Sequence, residues 1–108
     1  MTKEEIEIVV DREIIEIIRS YKSLLQSLYT IDKIYLFGSY ARDKAREDSD
    51  IDLAIFLNEA ISYELELELM KLRRKIDLRI EPHVFSTLDL LDRTPFIDEI
   101  STNGIEIF

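Results

Sequence analysis

A glycine–serine step, Gly38-Ser39, is followed after ten residues by Asp50-Ile51-Asp52. On a strand, alternate side chains share a face, so Asp50 and Asp52 project to one side about 6–7 Å apart along the backbone. Carboxylates that close repel each other unless a cation lies between them. Oxygen ligands at this spacing suit Mg²⁺, which takes one or two carboxylates and completes its shell with water and substrate phosphates. Gly38 has no Cβ and lets the backbone approach a phosphate closely, while Ser39 adds a hydroxyl donor. These residue types, in this order, point to metal-assisted phosphoryl chemistry.

A third carboxylate, Asp77, falls in the alternating run Ile76-Asp77-Leu78-Arg79-Ile80. Read as a strand, the run turns Ile76, Leu78 and Ile80 to the core and Asp77 and Arg79 to the opposite face. If that strand neighbours the one carrying Asp52, Asp77 joins Asp50 and Asp52, and three converging carboxylates hold two metals for an in-line displacement. Arg42, Lys44 and Arg46 are cations conveniently placed for a triphosphate. Because they are interleaved with Asp43, Glu47 and Asp48, a solvated mixed-charge loop is an equally good reading. His83 follows Pro82, has no triad partners nearby in sequence, and reads as structural.

These residues need elements to position them. Apolar residues from Ile6 to Leu28 recur at gaps of three and four, predicting a helix over 2–29. Thr2 and Glu5 suit a capping box. Unbroken, that helix runs about 40 Å, too long for a domain of this size, so a bend or a protruding end is expected. Ile34–Phe37 reads as a buried strand that stops at Gly38, and residues 39–49 as a helical turn and loop. Ile51–Leu57 is a second strand, ended by Asn58. Residues 60–75 read as helix on propensity and length despite the period-two alternation Glu64 to Leu69. Ile76–Ile80 is the third predicted strand, stopped by Pro82. Ser86 or Thr87 caps a short helix through Leu91, and Thr94-Pro95 opens another that Asn103-Gly104 closes. Ile105–Phe108 is a last short strand. The order predicts an α/β (α+β) fold, a small mixed sheet flanked by helices, in a single domain over 1–108.

Composition narrows the function. Fourteen Lys and Arg against 23 Asp and Glu give a net charge of −9. Sequence-independent nucleic-acid binding needs a surface excess of cations, so no stable nucleic-acid complex is expected. The absence of cysteine excludes disulfides, thiolate metal sites and thiol nucleophiles. No apolar run approaches the length of a membrane span and the N-terminus lacks a signal-peptide layout, so the expected setting is cytoplasmic.

The runs Leu36-Phe37-Gly38-Ser39-Tyr40-Ala41-Arg42 and Asp48-Ser49-Asp50-Ile51-Asp52-Leu53 resemble the signature of the DNA polymerase β-like nucleotidyltransferase superfamily. More narrowly, the chain is similar to the minimal nucleotidyltransferases; the core match runs from Ile34 to Ile80. Asp43 stands where a glycine commonly follows the Ala-Arg pair. The resemblance implies transfer of AMP from ATP to a hydroxyl, with Asp50 and Asp52 on Mg²⁺ and Asp77 completing a two-metal site. Gly38 and Ser39 would hold the β- and γ-phosphates. It further implies an antitoxin role beside a HEPN-domain toxin, with a tyrosine of that toxin as acceptor. Two alternatives stand beside it: an antitoxin that neutralises by complex formation alone, and a subunit that modifies a small molecule or RNA together with a separate chain.

Overall fold

A computed structural model of the chain describes residues 10–42, 45–46 and 48–107. Among the described residues the first helix, α1, spans Arg12–Gln26, with Asp11 as its cap accepting a hydrogen bond from the Glu13 amide. At 15 residues it is about 22 Å long; the start of the expected helix over 2–29, and with it the expected bend or protruding end, falls partly outside the described residues. The Thr2–Glu5 capping box lies outside them. Ile14, Ile15, Ile18, Tyr21 and Leu25 make one buried stripe along α1.

Strands β1 (Ile31–Phe37) and β2 (Ile51–Leu57) pair antiparallel. Helix α2 (Tyr63–Leu72) starts at Ser62, whose hydroxyl accepts from the Leu65 amide. A 3₁₀ turn over Arg73–Lys75 leads to β3 (Ile80–Ser86), which pairs parallel with β2. A second 3₁₀ turn (Thr87–Leu91) opens with a reciprocal Ser86–Asp89 capping box, and α3 (Pro95–Asn103) starts at Thr94 with proline in its first turn, as expected. The two-residue β4 (Ile105–Glu106) returns antiparallel to β1. The sheet order is β3-β2-β1-β4, mixed as predicted.

The two faces of β2 separate two cores. Ile51, Leu53, Ile55 and Leu57 join α1 and α2 in the larger one, and Ala54 and Phe56 meet Ile97 and Ile100 of α3 in the smaller. Asp52 falls on the α3 face by alternation, at the end of the sheet where that core stops. Tyr21 ties the layers together: its buried hydroxyl donates to the Leu69 carbonyl at 2.7 Å, joining α1 to α2. Among the described residues, no helix is long and apolar enough to cross a membrane.

One predicted element is displaced. Residues 76–79 are not a strand; the third strand starts at Ile80 and runs through Pro82 to Ser86. The amides of Ile76 and Asp77 both donate to the Arg73 carbonyl, and the Arg79 amide donates to the Asp77 carboxylate. That local side chain-to-backbone bond offers the chain a turn in place of a ladder. Pro82 is tolerated because β3 is an edge strand. The Arg79 carbonyl accepts from the Ile51 amide, so alternate residues 79, 81 and 83 face β2 and the Pro82 nitrogen faces outward.

Candidate active site

The register across the sheet places Phe37, Asp52 and Glu81 in one row, from β1 through β2 to β3. Asp50 lies two residues before Asp52, on the loop that enters β2. β1 ends at Phe37, and Gly38 then takes a φ of 73°, the left-handed region that glycine enters without steric cost. A Cβ at Gly38 would collide with the Asp52 carboxylate, so the glycine is also what allows the turn to close over this acid. The turn is held by the Arg42 amide, which donates to the carbonyls of Gly38 and Ser39 at 3.2 Å each. The Arg42 guanidinium folds back to the Gly38 carbonyl at 3.4 Å. Gly38 is therefore brought against Asp52, with Ser39 and Arg42 in the same turn. Lys44, the remaining expected phosphate contact, lies outside the described residues, as does Asp43.

Burial pushes the Asp52 carboxyl above the ordinary carboxylate range; His83 opposes the rise, and the charges of Asp50 and Glu81 add to it. The Nε2 of His83 is 3.6 Å from Asp52 Oδ1. His83 thus sits at the acids and not merely at a strand end. Its ring also meets Phe37 edge-on, with centroids 5.1 Å apart.

Asp77 is a correction. It sits in the turn before β3, and Arg79 grips it with Nε on Oδ1 and Nη2 on Oδ2, both at 3.0 Å, besides the backbone bond at 2.8 Å. Those bonds hold its carboxyl below the usual range. A carboxylate so committed to a guanidinium has its lone pairs directed away from a metal. Among the described residues no group of three His, Cys, Asp or Glu is placed to hold a metal, so the expected three-acid convergence on Asp77 is not formed.

The acid in register with Asp52 is instead Glu81, whose Oε1 is 3.3 Å from Arg73 Nη1. The sequence hides it because Pro82 reads as the end of the strand. Its signal was the apolar positions Ile80, Val84 and Phe85 on either side. The donor set suits a divalent ion: the Asp50 charge adds to the cost of ionising Asp52, which lies against the Gly38 turn. Two carboxylates with phosphate oxygens and water are the usual complement for Mg²⁺.

A glycine turn over a strand-borne acid, in a four-stranded mixed sheet, defines a nucleotidyltransferase. Residues 12–108 match the family described as "Polymerase beta, Nucleotidyltransferase", and the chain belongs to it. Among its relatives is the "Putative protein adenylyltransferase MJ0141" of Methanocaldococcus jannaschii, 33% identical over 101 residues, covering 88% of this chain and 99% of that protein. Another is the "Protein adenylyltransferase MntA" of Thermococcus cleftensis, 34% identical over 77 residues, covering 70% of this chain and 78% of that one. The fold is shared with a solved toxin–antitoxin structure containing AMP-PNP, at a TM-score of 0.62 and 23% identity over 87% of this chain and 72% of that chain. It is shared also with the toxin–antitoxin MntA–HepT, at 0.57 and 20%, over 91% of this chain and 72% of that one.

Proposed function

We propose that this chain, acting as one minimal nucleotidyltransferase domain over 1–108, transfers AMP from ATP to a tyrosine hydroxyl of a cognate HEPN-domain toxin and so serves as its antitoxin. The observation that carries this is the closure of the Gly38 turn over Asp52, which would set a phosphate cradle directly beside a metal-binding acid. The relatives named as protein adenylyltransferases support the reaction, and the likeness to toxin–antitoxin structures supports the partner.

Asp50 and Asp52 hold Mg²⁺, which supplies charge neutralisation at the triphosphate when bound. The Gly38 backbone and the Ser39 hydroxyl hold the β- and γ-phosphates, and Arg42 adds positive charge at the turn. The acceptor oxygen forms a bond to the α-phosphorus as the bond to the β-phosphate oxygen breaks, and pyrophosphate leaves. Glu81, in register with Asp52 on the neighbouring strand, accepts the proton of the acceptor hydroxyl. Asp77 instead fixes Arg79 and the turn that sets β3 against β2.

Incubation with α-labelled ATP, Mg²⁺ and the co-purified partner tests this. Label on the partner, lost in Asp52→Ala, is the expected result. A tight complex that never takes label, unaffected by Asp52→Ala, would show neutralisation by complex formation alone.

A further inference from the structure

The strand order makes the site asymmetric. The Gly38 turn lies on the β1 side of Asp52, and Glu81 and His83 lie on the β3 side. In-line phosphoryl transfer puts the attacking and leaving oxygens on opposite sides of the phosphorus. A triphosphate seated on the Gly38 turn directs its pyrophosphate toward β1, so the acceptor must arrive over β3.

There the face opens into a cavity of about 350 Å³ bounded by His83, Phe85, Phe96 and Ile97, with Asp89 and Asp92 at its border. Its walls are braced aromatics: Phe85 lies 5.2 Å from Phe96 and 5.3 Å from Phe56, centroid to centroid. The bordering 3₁₀ turn repeats every three residues. Asp89 on that turn and Asp92 at its end both line the cavity, and Leu88 and Leu91 share another edge of the turn, 73% and 78% exposed.

We propose that this cavity is the acceptor subsite, receiving a tyrosine ring from a partner segment flanked by Lys and Arg; the proposal rests on the transfer reading above. The ring lies along the Phe85–Phe96 wall with its hydroxyl toward His83 and Glu81, which share one face of β3. The acidic edge meets the flanking cations, and Leu88 and Leu91 meet apolar partner surface. Aromatic walls favour a phenol over the short side chains of serine or threonine. The acidic border disfavours nucleotide phosphates at the same place.

The test uses two blocked peptides, one with tyrosine between Arg and Lys and one with tyrosine between Glu residues, and follows amide NMR shifts without ATP or metal. The basic peptide is expected to shift the amides of His83, Phe85 and Ile97. Asp92→Lys, at an exposed position, should weaken it about tenfold and strengthen the acidic peptide. Shifts elsewhere, no shifts at millimolar peptide, or the same set moved by ATP–Mg²⁺ alone would overturn the assignment, the last giving the cavity to the nucleobase. Failure of the transfer reading looks different: the basic peptide binds here, yet no partner takes label. If a partner is labelled and Asp92→Lys leaves its KM unchanged, the transfer reading stands and the subsite is wrong.

Discussion

Gly38 and Asp52 are in such close apposition that a single methyl group on the glycine would displace the carboxylate. The turn and the acid are therefore positioned by each other, and neither changes without moving its neighbour. Gly38→Ala also forces a left-handed backbone on an L-residue, at roughly 1–2 kcal/mol. The variant is expected to melt lower and to bind ATP–Mg²⁺ at least about tenfold more weakly by calorimetry, about 1.4 kcal/mol or more. Wild-type affinity would show that the cradle does not touch nucleotide.

Asp52 carries an electrostatic cost when no cation is bound. Its folded pKa is raised, chiefly by burial, so the ionised form costs stability at neutral pH and the cost fades as pH falls through that raised value. Asp52→Asn should raise the metal-free Tm, by about 4–8 °C for each kcal/mol relieved in a domain of this size, while abolishing Mg²⁺-dependent ATP binding. A lower Tm in Asp52→Asn would contradict this account.

Asp77 titrates in the opposite sense. Its folded pKa is depressed by Arg79, so the stability it contributes is complete above the unfolded value of about 3.8 and is lost as pH falls through the folded one. Melts taken from pH 6 downward should show this loss in the wild type, and Asp77→Asn should flatten it. At neutral pH, AMP transfer should survive Asp77→Asn better than Glu81→Gln, which keeps ATP affinity but loses turnover. The reverse ranking would return Asp77 to the catalytic group.

Tyr21→Phe removes one buried hydrogen bond without opening a cavity. The Leu69 carbonyl still accepts from the Arg73 amide, so the loss should be about 1 kcal/mol and shift Tm by about 4–8 °C. Thermal melts check it; an unchanged Tm would mean that this bond does not couple the helices.

Much of this was legible in the chain. Gly38, Ser39, Asp50 and Asp52 announced both the turn and the acids, because glycine and paired carboxylates have few other reasons to occur at that spacing. Thr94-Pro95 and Asn103-Gly104 bracketed α3 for equally local reasons. The third strand was misread because period-two alternation in 76–80 is also compatible with a turn closed by an aspartate and an arginine two residues apart. Pro82 looked like a terminator, since only the sheet order reveals that β3 is outermost. Glu81 and His83 were lost with that strand: their place depends on register with β2, a long-range fact that no short window contains.

The outer side of β3 has a further meaning. Pro82 offers no amide there, and the neighbouring Ile80 carbonyl is already occupied by Arg73 Nη1 at 2.9 Å. Two successive rungs are thus closed to a foreign chain seeking to add a fifth strand. A protein that engages this molecule beside its acids must do so through side chains and shape, and the unbound chain is guarded against zipping onto copies of itself along that border.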